Sequence, residues 1–379
     1  MKNEQIKLNK RSLKVEFIDK CTDCGKCQQS CIFLEKQGSP IKILSFDDYL
    51  DKAYLCTLCG LCSKVCPEGL NPGELFHSIR KINYNTGRNL KKTHKQFLNF
   101  EKIGYSGFLT LYNLPHDCRT VFFPGCNMSG TNSETVFNIY KEIKKSENSA
   151  GIILDCCGTP SYSLGITDEH KKKFAATVDK LRSKKINKVY LACPNCYSIF
   201  KKFVPELNPT MVTNFFKEKG YNLKENFSGE EITIHDPCVL RDNHEVHLEI
   251  RELMSSSGIK IKESQNSKKF SLCCGGGGGV SCFSPKEAKE WKNKILNNSP
   301  KNIIITYCAR CQQSLGSRSF HILDLLFKNK KLVKNTKSPF TYFKRYLLKK
   351  NFLKYSKPSD FKGFRIKNKI INEEKNENN

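Results

Sequence analysis

What the chain lacks narrows its class first. Nowhere do 18 apolar residues run uninterrupted, so no segment is expected to span a bilayer as a helix. The opening stretch "MKNEQIKLNKRSLKVEFIDK" has no apolar core of the kind a secretory signal carries. A secreted disulfide scaffold is therefore not expected. Acidic side chains are scarce, with 37 Asp and Glu against 64 Lys and Arg, for a formal net charge of +27. The imbalance is uneven. From Lys328 to Asn379 there are 16 Lys or Arg and 4 Asp or Glu, so nearly half of the surplus lies in the last 52 residues. An AT-rich genome, whose codons favour Lys, Asn and Ile, accounts for the basicity as readily as an anionic partner does. The formal count also treats every cysteine as neutral, and metal-bound thiolates would reduce it.

What is abundant is cysteine, 20 in all. Reduced thiols in that number inside a cell point to metal or redox chemistry rather than to cross-links. The expected location is cytoplasmic, with a peripheral position at the inner face of the cell membrane as a further expectation. Two runs stand near the start. "CTDCGKCQQSC" supplies Cys21, Cys24, Cys27 and Cys31, and "CTLCGLCSKVCP" supplies Cys56, Cys59, Cys62 and Cys66. The doubled spacing C-x2-C-x2-C-x3-C is the bacterial ferredoxin pattern, in which the fourth cysteine of each run reaches the other cluster. It predicts one 4Fe–4S cluster on Cys21, Cys24, Cys27 and Cys66. It predicts a second on Cys56, Cys59, Cys62 and Cys31. Gly25 and Gly60 fall inside the loops, where a Cβ would crowd the inorganic core. A zinc cluster is the alternative, but zinc sites rarely use eight thiolates in this doubled spacing. The first run continues into Ile32 rather than proline, and 24 residues separate Cys31 from Cys56. "SFDDYLDKAYLCTLC" reads as a helix leading into the second loop. This arrangement resembles the helical ferredoxin module of succinate-dehydrogenase-type and heterodisulfide-reductase-type proteins.

The other cysteines form two series. Cys126, Cys156, Cys157, Cys193 and Cys196 are followed by Cys238, Cys273, Cys274, Cys308 and Cys311, at offsets of 112 to 117 residues. This is an internal duplication, with units too long for a solenoid. Each group follows a short apolar run: "TVFFPGC", "GIILDCC" and "KVYLACPNC", then "EITIHDPC", "KFSLCC" and "NIIITYC". Polar segments of helical period lie between, with Thr167 and Ser284 as N-cap candidates and Pro285 at a first helical position. Strands alternating with helices predict parallel sheets. All ten cysteines would then lie beyond the strands' carboxyl ends, where ligands gather. Gly158 and Gly275 directly follow the cysteine pairs, and Gly275 and Gly276 begin the run "CCGGGGGV". That run lacks the Gly-Lys-Ser/Thr of a phosphate loop, and it is read as letting backbone approach a cluster or substrate closely.

The pattern C…CCG…C-x2-C, twice, together with "FFPGC", "HDPC" and "CCGGGGG", resembles the paired cysteine-rich CCG domains of the heterodisulfide reductase catalytic subunit. The same domains occur in the iron–sulfur subunits of anaerobic glycerol-3-phosphate, glycolate and lactate dehydrogenases. The resemblance spans roughly residues 15–328. It implies an α+β multidomain fold: a helical bis-4Fe–4S module at 1–90, a linker at 91–118, CCG units at 119–215 and 230–328, and a basic extension at 329–379. It further implies a noncubane 4Fe–4S cluster in each five-cysteine set, up to two beyond the two cubane clusters. The ten cysteines would then be catalytic in splitting a disulfide, with Gly158, Gly275 and Gly276 beside the cofactors. The first unit's closing pair, Cys193 and Cys196, is intact, whereas many dehydrogenase-associated relatives keep a single cysteine there. That favours disulfide reduction. The competing expectation is an electron-transfer subunit serving a flavin dehydrogenase. A redox partner is expected either way, whether a flavoprotein, a hydrogenase or a membrane electron carrier. A zinc-loaded nucleic-acid binder is the third class, and no nucleic-acid partner is expected. The family often has His after "DPC" where this chain has Val239, and Cys118 and Cys282 match neither series. They are read as bystanders. His235 is a candidate proton donor to a departing thiol. In the tail, a helix from Phe340 would put aromatics on one side of its first two turns and Lys344 and Arg345 on the other, suiting an anionic membrane surface or an acidic partner, with a solvated basic tail as the alternative.

Overall fold

The computed structural model describes residue 17 and residues 19–86, 90–223, 231–327 and 340–355. The expected tail segments 328–339 and 356–379 lie outside the described residues. The N-terminal part is a set of short helices. Helix Pro40–Ser45 starts where Ser39 Oγ accepts from Lys42 N, and helix Pro72–Asn85 starts where Asn71 Oδ1 accepts from Glu74 N at 3.2 Å. Each has proline at its first position, where a missing N–H costs nothing. The two cysteine loops repeat the same backbone: Asp23 and Gly25 in one, Leu58 and Gly60 in the other, all have positive φ. The helix expected before the second loop is present as Tyr49–Lys52 and a 3-10 turn, Ala53–Leu55. This module does not keep its core to itself. Phe33, Ile43, Leu61 and Phe76 pack with Leu272, Trp291, Ile295 and Leu315 of the second cysteine-rich unit.

The first unit is built on strands β1 (Leu111–Asn113), β2 (Thr120–Phe123), β3 (Gly151–Leu154), β4 (Lys188–Leu191) and β5 (Pro209–Met211), in the order β1-β3-β2-β4-β5. All neighbouring pairs are parallel except β1 with β3. Strands β2 and β3 are buried along their whole length, which is why they read as unbroken apolar runs rather than as alternation. The second unit has β6 (Thr233–His235), β7 (Ile304–Thr306) and β8 (Ser319–His321), all parallel. Strands β6, β7 and β8 repeat the placing of β2, β4 and β5, and among the described residues the counterpart of β3 is reduced to an isolated parallel bridge between Ile232 and Ile261.

The sequence reading is corrected here, because it expected a strand at "KFSLCC". The segment forms a 3-10 turn, Lys268–Phe270, instead. Its backbone groups are taken by side chains: Lys268 N donates to Asp236 Oδ2 at 2.7 Å, and the Lys269 and Ser271 carbonyls accept from Arg241. Thr167 is the first residue of helix Thr167–Ser183 rather than its cap, which is Ile166, while Ser284 does precede helix Pro285–Asn298. Residues 91–118, expected as a linker, fold as helix Lys92–Gly104 and strand β1. Burial of His94, Glu101, Gly104 and Leu111 accounts for that order.

Helix Phe340–Tyr355 corrects the reading of the tail. Its buried face carries Thr341, Arg345, Leu348 and Phe352, while Phe340, Phe343 and Leu347 are exposed. Phe352 packs on Phe137 and Tyr140, at 5.1 and 5.3 Å between ring centroids. Thr341 presses on Gly130 of helix Cys126–Thr131, where an added Cβ would lie 3.1 Å from Thr341 Cβ. Arg345 is thus buried while Phe340 and Phe343 are exposed, and Phe352 lies on the same buried side as the arginine, so the helix does not separate aromatic from basic residues as expected. Among the described residues no helix is long and apolar enough to cross a membrane.

Candidate functional site

The structure brings the eight N-terminal cysteines together in two groups. Cys21, Cys24, Cys27 and Cys66 line one cavity together with Gly25, Pro40 and Pro72. Cys31, Cys56, Cys59 and Cys62 neighbour one another electrostatically. Burial pushes the Cys27 and Cys56 thiols up to about 11, with the neighbouring sulfurs adding repulsion. Sulfurs so placed are costly as bare thiolates. An all-sulfur donor set of this kind fits a thiophilic, positively charged iron group, which would offset the repulsion. Among the described residues no three His, Cys, Asp or Glu side chains close around a single ion.

The first five-cysteine set gathers beyond β2, β3 and β4. Cys126 follows β2, Cys156 and Cys157 follow β3, and Cys193 follows β4. Cys126 neighbours Cys156 electrostatically, and Cys196 neighbours Cys157 and Cys193. Gly125 makes this approach feasible. A Cβ there would stand 2.9 Å from Cys196 Sγ and 3.0 Å from Cys193 Cβ, and its φ of 79° suits glycine. Asp155 Oδ1 accepts from Cys156 N at 2.7 Å, fixing the turn after β3. His170 Nε2 donates to the Cys157 carbonyl at 3.0 Å, and the absent Cβ of Gly158 leaves room for that imidazole. Sequence reasoning missed His170, which lies in a run of charged residues with no motif around it.

The second set gathers beyond β6 and β7, with Cys273 and Cys274 carried by the loop that replaces the third strand. Cys238 neighbours Cys273 electrostatically, Cys273 neighbours Cys274, and Cys311 neighbours both Cys274 and Cys308. The glycine run has a specific neighbour. A Cβ at Gly277 would lie 2.5 Å from the Thr57 carbonyl, and one at Gly278 would lie 2.5 Å from the Cys56 carbonyl. Gly275 instead backs onto Ala288, and Gly276 onto the Arg310 side chain. The run therefore seats the second set against the second ferredoxin loop, and Cys59 neighbours both Cys238 and Cys273 electrostatically. Two arginines tie the seam. Buried Arg80 donates to the carbonyls of Ala53 (3.0 Å), Ser163 (2.7 Å), Gly278 (2.9 Å) and Cys56. Arg241 Nε donates to the Cys59 carbonyl at 3.0 Å.

The two units meet reciprocally. Helix Cys126–Thr131 touches helix Ala309–Leu315, and helix Pro194–Phe203 touches the turn Cys238–Leu240. Of the remaining candidates, His235 does not fit a proton-donor role. Burial lowers its pKa to about 4, so it is neutral near neutral pH. Its cavity is lined by Thr233, Ser264, Asn266 and Asn298, with no cysteine. Cys118 is fully buried in the first sheet's core and donates to the Thr120 carbonyl at 3.2 Å. Cys282 is half-buried in helix Val280–Phe283.

Comparison with known proteins agrees with this organisation. A 4Fe-4S dicluster domain matches residues 11–80, and a cysteine-rich domain matches twice, at 120–201 and 232–316. The chain is 26% identical over 349 residues to one subunit of the fumarate reductase (CoM/CoB) of Methanothermobacter marburgensis, covering 81% of this chain and 68% of that protein. It is 24% identical over 369 residues to one subunit of the dihydromethanophenazine:CoB–CoM heterodisulfide reductase of Methanosarcina acetivorans, covering 81% and 90%. It is 22% identical over 174 residues to the EtfAB:quinone oxidoreductase of Syntrophomonas wolfei, covering 41% and 24%. With a dicluster domain followed by two cysteine-rich domains, the chain belongs to the heterodisulfide-reductase-like iron–sulfur proteins.

Proposed function

We propose that this chain receives electrons at Cys21, Cys24, Cys27 and Cys66 and passes them through the Cys31, Cys56, Cys59 and Cys62 set. From there they reach the paired five-cysteine sites, where a disulfide is reduced. The observation that carries this reading is the seat of Cys59 beside Cys238 and Cys273, across the backbone contact of Gly277 and Gly278 with Thr57 and Cys56. In this reading the ferredoxin sets hold two cubane 4Fe–4S clusters and the five-cysteine sets hold up to two noncubane ones. Such groups, when bound, supply one-electron transfer. The balance of the reaction is one disulfide, two electrons and two protons to two thiols, with the electrons coming from a redox partner protein.

This chain's own residues contribute order and access. Arg80 and Arg241 lock the loops that carry Cys56, Cys59 and the glycine run into one seam. Cys126, Cys193 and Cys238 are the half-exposed members of the two sites, and the other seven cysteines are buried. A disulfide therefore meets the sites on the side of those three residues. Because His235 is neutral and apart, the protons come from solvent on that open side rather than from that imidazole.

The experiment is anaerobic purification, iron quantification and incubation of the reduced protein with a mixed disulfide. About sixteen irons per chain, four per site, with two thiols released per disulfide, is the expected result. Turnover should vanish in Cys193→Ser while the two ferredoxin signals persist. A second reading is favoured by one observation, the similarity to a protein named as a quinone oxidoreductase. In that reading the chain relays electrons between a flavoprotein and a membrane carrier. Reduced protein that ignores disulfides but is reoxidised by a quinone would establish it instead.

A further inference from the structure

Helix Phe340–Tyr355 lies outside both cysteine-rich matches, yet it delivers a side chain to the first of the two sites. Arg345 is 1% exposed. Its Nη2 donates to the Gly104 carbonyl at 3.2 Å, while Nε and Nη1 have no acceptor among the described residues. A buried guanidinium with unspent donors is costly unless an anion or electron-rich acceptor stands before it. The geometry locates that acceptor. An atom at the Cβ position of Gly104 would lie 3.5 Å from Arg345 Nη1, 3.4 Å from Cys156 Cβ and 3.7 Å from Cys156 Sγ. The guanidinium and the thiol thus both border the space that glycine leaves open.

A second unspent donor stands on the same side. Tyr105 Oη is buried without a partner among the described residues, and the thiols of Cys156 and Cys157 are among its charged neighbours. It would touch a Cβ on Gly158, the residue after that pair, at 2.9 Å. The nearby carboxylates are engaged elsewhere. Glu101 accepts from Ser161 N and pairs with Lys173, and Asp155 accepts from Cys156 N and from Tyr112. The second site is supplied differently. Arg241 beside Cys238 spends its donors on the carbonyls of Cys59, Lys269 and Ser271, and Arg310 beside Cys308 donates to Ser281 Oγ.

We propose that Arg345 and Tyr105 are positioning residues for the iron–sulfur group of the first five-cysteine site. Their N–H and O–H groups donate to its sulfurs. The fixed positive charge of Arg345 makes that group the more readily reduced of the two. Hydrogen bonds to sulfur and nearby charge are the means by which a protein sets such potentials. Electrons that enter at the second site, beside the ferredoxin loop, would therefore run downhill to the first. The proposal rests on the reading that Cys126, Cys156, Cys157, Cys193 and Cys196 hold such a group.

The test is a redox titration of intact holoprotein, followed by EPR, with iron counted per chain, for wild type, Arg345→Gln, Arg345→Lys, Tyr105→Phe and Cys193→Ser. Arg345→Gln should move one midpoint to more negative potential and leave the ferredoxin midpoints in place. The expected size is about tenfold in the reduced-to-oxidised ratio at fixed poise, about 59 mV for one electron. Arg345→Lys, which keeps the charge, should move it less, and Tyr105→Phe should move the same midpoint. If Arg345→Gln loses iron that Arg345→Lys retains, the proposal also stands. Unmoved midpoints at wild-type iron content overturn it, as does equal iron loss in both arginine variants with the remaining midpoints unmoved. A Cys193→Ser protein with undiminished iron would sink the reading of the first site and the proposal with it. Iron loss in Cys193→Ser together with a silent Arg345→Gln would sink the proposal alone.

Discussion

Gly278 lies so close to Cys56 that a Cβ on the glycine would stand 2.5 Å from the cysteine's carbonyl oxygen. Backbone meets backbone there, and neither side can swing away. With φ at 57°, an L side chain at Gly278 would be strained even in open space. Gly278→Ala should therefore cost about 3 kcal/mol of stability and slow electron passage from the ferredoxin sets to the five-cysteine sites. Gly107→Ala is the control, because a Cβ there meets nothing within 4 Å. Thermal melts and stopped-flow reoxidation separate the two variants. Equal melts would mean that the seam is loose.

Arg80 predicts a larger loss. It is fully buried, and burial lowers its pKa to about 10. Four backbone carbonyls from three segments accept its N–H groups. Arg80→Met keeps the bulk and strands those acceptors, at a cost of about 3–5 kcal/mol. Arg80→Lys should recover less than half, since one ammonium cannot span three segments. Chemical denaturation of the holoprotein checks both values.

The sequence was most legible where chemistry constrains spacing. The eight N-terminal cysteines gather in two groups, Cys21, Cys24, Cys27 and Cys66 in one and Cys31, Cys56, Cys59 and Cys62 in the other, and the later ones keep their place relative to apolar strands except at Cys273 and Cys274, which a loop carries. Legibility failed where side chains replaced a ladder. Nothing local in "KFSLCC" shows that Arg241 and Asp236, some thirty residues away, take its backbone groups. It failed again at Arg345. A charged residue among aromatics reads as solvent-facing until the site that buries it is known. The glycine run had a visible purpose, close approach, but its neighbour proved to be Thr57 and Cys56, more than two hundred residues upstream.

Glu249 predicts a pH dependence unrelated to the thiols. It joins the two units by accepting from Thr213 Oγ1. Burial pushes its carboxyl from 4.5 up to about 7, with the Thr213 bond pulling the other way. An acid whose folded pKa is raised stabilises the fold below its unfolded pKa and loses that contribution as pH rises through the folded value. Stability should therefore fall between about pH 5 and 8. Glu249→Gln should flatten that fall and be more stable at about pH 8 by on the order of 2 kcal/mol. Melts on either side of neutrality decide the matter, and an unchanged slope in the variant would assign the dependence to another group.

The outer face of helix Phe340–Tyr355 predicts a surface contact. Phe340, Phe343 and Leu347 are 66%, 59% and 42% exposed, at helical spacing on one side, and Phe108 adjoins them by stacking on Tyr346. Apolar side chains left in water beside Lys350 and Lys354 match an anionic lipid surface, where each apolar group gains by insertion and each lysine by attraction. The full chain should sediment with vesicles rich in anionic lipid and much less with neutral ones. Phe343→Asp with Leu347→Asp removes two groups worth about 1.5–3 kcal/mol each when buried, so binding should fall by about a hundredfold or more. Because both positions face outward, iron content should not change, and Arg345 should stay in place on the opposite face. Undiminished sedimentation of the double variant would move the contact away from this helix, and sedimentation with neutral vesicles alone would remove the lysines from the account.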